Sequence, residues 1–233
     1  EDSAADFRSL GFTIKPGRLH PNGLLNLHVK FVDGTSLELM SVAGEPTDPV
    51  AAAYADFLQA GDGGAFAAIE ADPDRVIRVA SELNLPAQLN RSGPFTWVTV
   101  DDSQYGPGGQ SSPVFFVSYL ARSADADSLL VHDAGVVGIG SVLLDATDAL
   151  ADMLGRLGAR HCPADPEGEA DSSVIVGLAN AELVLLTKGA MRHRRQAVRD
   201  VTLLGTSTTL VSQPVRLDET MTHGVRLILV PGK

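Results

Sequence analysis

A glutamate and a histidine stand in one short stretch, LNLHVKFVDGTSLELMS, residues 25 to 41. A carboxylate facing an imidazole is a pair suited to general acid–base chemistry. Whether Glu38 and His28 meet depends on the register of the hairpin that the stretch encodes. Strand faces alternate, so a slip of one residue moves a side chain to the opposite face. A two-residue Asp33-Gly34 turn pairs Val32 with Thr35. It sets Val29 against Glu38 and His28 against Leu39, which mixes polar and apolar groups on both faces. A three-residue turn with Gly34 left-handed pairs Phe31 with Thr35 instead. It gathers Leu27, Val29, Phe31, Leu37 and Leu39 on one face, with Asn26, His28, Lys30, Ser36, Glu38 and Met40 on the other. This register separates the faces, and it predicts His28 directly opposite Glu38 with β-carbons about 5 Å apart. The polar face then either meets solvent or lines a pocket.

Other side chains carry two readings each. His20, in RLHPNG, lies in a loop between strands. It either borders a binding site or is solvated. Trp97 is the single tryptophan and alternates with Phe95 and Thr99 in FTWVTV, so it lines a pocket mouth or fills a core. His132, in VHDAG, touches a substrate or fixes its loop by hydrogen bonds. His223 reads as a turn residue. The basic run MRHRRQAVR (191–199) reads as a solvated helix face among acidic neighbours. Cys162 has no activating partner in its surroundings. No CxxC, HExxH, GxxxxGK or GxSxG pattern occurs.

The elements that position these residues follow a repeat. Three predicted helices, DSAADFRSLGF, DPDRVIRVASELNL and DATDALADMLGRLGA, stop at Gly11, Asn84 and Gly158. Glycine and asparagine tolerate the left-handed conformation that closes a helix. The stops are 73 and 74 residues apart, an even spacing that points to an internal repeat. AFAAIEA (65–71) and VVGIGSVLL (136–144) read as strands leading into the second and third helices, with Asp72 as N-cap and Pro73 as the first helical residue. Two or three strands follow each helix. The unit is strand, helix, then two or three strands. It predicts about ten residues of strand upstream of the first helix, where this sequence has none. TDPVAAAYADFLQAG (47–61) adds a helix, DSQYGPGGQSS (102–112) a turn-rich loop, and CPADPEGEADSS (162–173) an acidic loop. The tail from 198 to 230 reads as a degenerate fourth unit without a clear helix.

Composition narrows the partners. A formal net charge of −11 repels phosphate backbones and anionic lipid, so neither nucleic acid nor a membrane surface is expected as a partner. No apolar run reaches the length of a membrane span. One cysteine excludes an internal disulfide, which fits a reducing, cytoplasmic location.

The order of these pieces resembles a known family. LGFTIKPGRLHPNGLLNLHVKFVDGTSLELM (10–40), FTWVTV (95–100), SPVFFVSYL (112–120), HDAGVVGIGSVLL (132–144) and HGVRLILVP (223–231) together resemble the glyoxalase-like domain proteins of bacteria. These belong to the vicinal oxygen chelate superfamily, with glyoxalase I, extradiol dioxygenases and bleomycin-resistance proteins. The resemblance implies an α+β protein of tandem βαβββ units whose mixed sheets curl into a cup. Its pairs would be residues 1–121 and 122–233. It implies a site for a small organic molecule, with Glu38 at the position of a carboxylate metal ligand. No cofactor can be named from the residues, and a divalent metal is the one the resemblance suggests. If the protein is an enzyme, Glu38 and His28 carry lyase or isomerase chemistry next to a carbonyl, with His20, Asn26, Trp97 and His132 around the substrate. The alternative is a metal-free binding or drug-sequestering protein. An unfilled sheet edge would suit a homodimer.

Overall fold

The computed structural model describes residues 2–93, 95–101, 112–121, 124–163, 173–187, 197–206 and 212–232. The loops at 102–112 and 162–173 and the basic run at 191–199 lie mostly outside these residues.

The first module begins with α1 (Asp2–Ser9) and continues through β1 (Lys15–Leu19), β2 (Leu24–Lys30) and β3 (Ser36–Val42). The strands form an antiparallel sheet in the order β1-β2-β3. An added helix, α2 (Pro49–Gln59), follows, its first turn closed by the Asp48 carboxylate accepting from the Ala51 N–H at 2.8 Å. The second module is β4 (Ala67–Glu70), α3 (Pro73–Glu82), β5 (Ala87–Ser92), β6 (Phe95–Val100) and β7 (Val114–Tyr119), in the sheet order β4-β7-β6-β5. The third is β8 (Val136–Asp145), α4 (Asp148–Arg156), β9 (Arg160–Pro163), β10 (Ser173–Gly177) and β11 (Glu182–Leu186), in the order β8-β11-β10-β9. Both place the first strand beside the fourth, then the third, then the second. β12 (Val198–Gly205), β13 (Val215–Arg216) and β14 (Arg226–Val230) keep part of that plan. β12 runs parallel to β14, as β4 does to β7, and β13 is antiparallel to β14. The tail is thus a reduced fourth module, with no helix among its described residues.

Local chemistry explains the helices. Asp72 caps α3 by accepting from the Arg75 N–H, and Val76, Val79 and Ala80, spaced three and four apart, bury one face. Thr147 caps α4 in the same way, above buried Leu150, Ala151, Met153 and Leu154. The three predicted stop residues are all left-handed, with φ of 87° at Gly11, 55° at Asn84 and 94° at Gly158. Three strands lie outside the sequence-based expectation, namely β1, β5 and β9, and each forms the outer edge of its sheet. Their sequences, KPGRL, AQLNRS and RHCP, lack an apolar alternation because an edge strand has only one neighbour to pack beside.

Two compact units result. The first comprises Glu1–Gly64, Asp125–Val142 and Arg199–Lys233, and the second Ala65–Ala124 and Leu143–Val198. The halves expected from the order of the modules, 1–121 and 122–233, divide the chain once, whereas these units are built from interleaved segments. In the first unit, Val29 of β2 and Phe31 just after it join Phe7, Phe12 and Ile14 in the buried core. That fixes which face of β2 is left for chemistry.

Candidate functional site

The hairpin has the register that separates its faces. The Phe31 N–H donates to the Thr35 carbonyl at 3.0 Å, and Gly34, at φ 87°, closes the turn onto the Phe31 carbonyl at 3.1 Å. The Asp33 carboxylate holds the turn by accepting from the Thr35 N–H and hydroxyl at 2.8 and 2.6 Å. His28 therefore stands directly opposite Glu38. On its other side, across β1, His28 stands opposite Lys15. A cation, an imidazole and a carboxylate thus form one row across three neighbouring strands. Side chains so placed have β-carbons about 5 Å apart.

Asn26 organises the row from within the sheet. It is 8% exposed. Its carbonyl oxygen accepts from the Arg18 N–H at 3.0 Å, and its amide donates to Glu38 Oε1 at 2.8 Å. Only this orientation of the amide serves both, because a backbone N–H can only donate and a carboxylate can only accept. The bond to Arg18 replaces a ladder bond where β1 bulges between Pro16 and Leu19. Gly17 lies so close there that a β-carbon would sit 1.8 Å from the Asn26 backbone carbonyl oxygen. The KPGRL sequence is thus what lets an edge strand fold over Asn26.

The electrostatics give each group a form. Burial holds His28 below its ordinary pKa; the Glu38 charge opposes this, and Lys30 and Lys15 reinforce it. The imidazole is therefore neutral at pH 7, and it makes no hydrogen bond to the described residues. Lys15 donates to Asp125 in a part-buried ion pair. That hydrogen bond holds the Asp125 carboxyl below the usual carboxylate range. Tyr54 of α2 is pushed up by burial first and then by the Glu38 charge, so its hydroxyl stays protonated beside the row. Lys30 reaches toward the Ser36 hydroxyl at 3.4 Å.

The remaining predicted residues lie elsewhere. His20 is in the β1–β2 turn, where its N–H donates to the Leu24 carbonyl at 2.7 Å. Leu24 is four residues from His28 along β2, about 13 Å, so the turn does not bring His20 to the row. His132 is a core histidine, 5% exposed. Its Nδ1 accepts from the Thr13 N–H at 3.0 Å, which leaves Nε2 protonated to donate to the Lys30 carbonyl at 2.9 Å. Phe12 and Phe31 pack against its ring edge-on. Both nitrogens are used, so this ring has none for a substrate. Trp97 belongs to the second unit, stacked on Phe95 with centroids 5.3 Å apart. His223 is the turn residue expected, at φ 54°, and its ring nitrogens also face Asp62 and Asp6 at 2.7 and 3.1 Å. Lys15, Asp125 and Tyr54 were not found from the sequence. A proline–glycine strand conceals Lys15, and Asp125 is 110 residues from its partner.

The donor set can be tested against a divalent cation. Such an ion needs three or more protein ligands for firm binding. Among the described residues no three of His, Cys, Asp and Glu come together in a way that could hold one. Asn26 is committed to Arg18 and Glu38, and the third place in the row is an ammonium. These residues do not fit the metal-ligand role expected for Glu38.

No family model and no curated protein matches the sequence. Solved structures do match. A hypothetical protein from Staphylococcus aureus gives a TM-score of 0.59 at 9% identity, covering 94% of this chain and 90% of that one. The 2,3-dioxygenase LapB from Pseudomonas sp. KL28 gives 0.56 at 10% identity, covering 99% and 87%. A variant of homoprotocatechuate 2,3-dioxygenase from B. fuscum gives 0.56 at 12%, covering 98% and 67%. At these identities the likeness is one of fold, and it extends over nearly the whole chain. With its repeated strand–helix–three-strand modules and its first-fourth-third-second strand order, the chain has an α+β fold of the vicinal oxygen chelate type, shared with these dioxygenase structures.

Proposed function

We propose that the polar face of the β1–β2–β3 sheet binds a small organic molecule with a carbonyl group, and that His28 moves a proton on the carbon beside that carbonyl. The observation that carries the reading is the row itself. A neutral, half-buried imidazole with no hydrogen bond to the described residues stands opposite a carboxylate that Asn26 holds in place. A neutral imidazole can accept a proton, and the Glu38 charge stabilises the imidazolium that results. The Tyr54 hydroxyl, kept protonated by burial and by the Glu38 charge, lies within electrostatic reach of that carboxylate. The unmet donor count for a divalent cation favours a second reading, in which the same face binds its ligand without chemistry.

The two readings separate in one experiment. Exchange of the carbon-bound protons of hydroxyacetone or pyruvate is followed by NMR in D2O at pH 7. The enzyme reading expects exchange above the buffer rate, falling about 10²–10³-fold in His28→Gln. Ligand-dependent shifts of the His28 ring signals without exchange would leave the binding reading. Neither shifts nor exchange across a panel of carbonyl compounds would remove both.

A further inference from the structure

A base and a carboxylate are not enough for that chemistry. Taking a proton from carbon beside a carbonyl leaves negative charge on the carbonyl oxygen, and something positive must receive it. The described residues do not assemble a metal site there. They do place a fixed cation, because Lys15 is directly across from His28 on the side away from Glu38. Its side chain is 33% exposed and that of Asp125 is 22% exposed, so the pair is withdrawn from bulk water without being sealed off. One ammonium N–H is given to Asp125, and two remain. Lys30 is less suited, since its ammonium points along the sheet toward Ser36.

Resting on the reading of His28 given above, we infer that Lys15 is the electrophile of this site. Its ammonium group, positioned by Asp125, takes the ligand's carbonyl oxygen and holds the negative charge that oxygen acquires. The ligands are therefore small carbonyl compounds, and small oxoanions mimic their charged form. In the step, His28 removes the proton and the C–H electron pair becomes a carbon–carbon double bond. The carbonyl π pair moves to oxygen, which the Lys15 N–H groups hold. Return of the proton from His28 to the same carbon re-forms the carbonyl and restores the imidazole, and no oxidant or reductant is consumed. Asp125 is a positioning residue, which fixes where the ammonium points.

The test uses the whole chain and two probes. Oxalate binding is measured by calorimetry at low salt, and hydroxyacetone exchange by NMR, in wild type, Lys15→Met, Lys15→Arg and Asp125→Asn. Lys15→Met is expected to weaken oxalate at least about tenfold and to slow exchange about 10²-fold in kcat, with less effect on KM. Lys15→Arg, which keeps the charge, is expected to retain oxalate binding, and it also controls for a fold that depends only on the ion pair. Asp125→Asn is expected to slow exchange while circular dichroism stays unchanged. Oxalate binding that depends on Lys15, in a protein that exchanges nothing, would support Lys15 as the oxyanion receptor and overturn the carbonyl chemistry. Exchange lost in His28→Gln but unchanged in Lys15→Met would overturn the inference and leave the proposed function standing. Oxalate binding that is absent in wild type, or indifferent to Lys15→Met, would also overturn it.

Discussion

Replacing His132 by alanine is expected to lower folding stability by about 3–5 kcal/mol. The ring fills space between Phe12 and Phe31, and its nitrogens join the Thr13 N–H to the Lys30 carbonyl. Alanine leaves a cavity and strands both backbone groups. The effect is best read from urea unfolding by circular dichroism, because the single tryptophan belongs to the second unit. A loss under about 1 kcal/mol would mean that the ring is not held as described. The pH dependence has a definite sign. Burial, the larger cause, lowers the His132 pKa against the opposing hydrogen bond to Lys30, and His28 is lowered by burial in the same direction. Below the ordinary histidine value of about 6.5 the unfolded chain binds protons that the folded protein refuses, so stability falls as pH falls through that value. Once the folded protein takes the proton as well, at lower pH, the loss stops growing. The gap between wild type and His132→Ala should therefore narrow from pH 7 to pH 5.

That residue shows what a sequence can and cannot disclose. The helix stops at Gly11, Asn84 and Gly158 were legible because each rests on one residue's backbone preference. So was the hairpin register, because only one pairing separates LNLHVKFV and SLELM into an apolar and a polar face. For His132 the sequence offered two roles, contact with a substrate or a hydrogen-bonded structural one, and could not choose between them, since its partners Thr13 and Lys30 are 119 and 102 residues away. Lys15 was hidden for a different reason. KPGRL carries no alternation that marks a strand, and it becomes one only because Asn26 supplies a side-chain oxygen where the ladder fails and Gly17 allows the backbones to meet. Pattern reading finds central strands by their buried faces. It passes over edge strands, and here an edge strand brings the cation. Half of the candidate site, His28 with Glu38, came from periodicity. The other half, Lys15 with Asp125 and Tyr54, exists only through tertiary pairing.

Asn26 is where the two halves are joined, and two substitutions there separate its tasks. Asn26→Leu removes both the acceptor for the Arg18 N–H and the donor to Glu38. Asn26→Asp keeps the acceptor and turns the donor into a carboxyl facing Glu38 Oε1, where the amide now lies at 2.8 Å. Glu38 is exposed but Asn26 is buried, so a second ionised carboxylate at that distance is disfavoured by repulsion and by its own burial, and the new group is driven to hold its proton. At pH 8 the variant is expected to be about 2–3 kcal/mol less stable than wild type. As pH falls below about 6 the new carboxyl takes a proton and becomes a donor to Glu38, restoring the lost bond. Here the folded state binds more protons than the unfolded one, so stability relative to wild type rises as pH falls. This is the opposite sign from His132, and one set of unfolding curves between pH 5 and 8 reads both. Asn26→Leu should show no such recovery, because it leaves the Arg18 N–H without a partner at every pH. If the deficit of Asn26→Asp were flat across that range, Glu38 would not be tethered to Asn26 in solution. The row would then lose its fixed carboxylate, and with it the means of stabilising an imidazolium at His28.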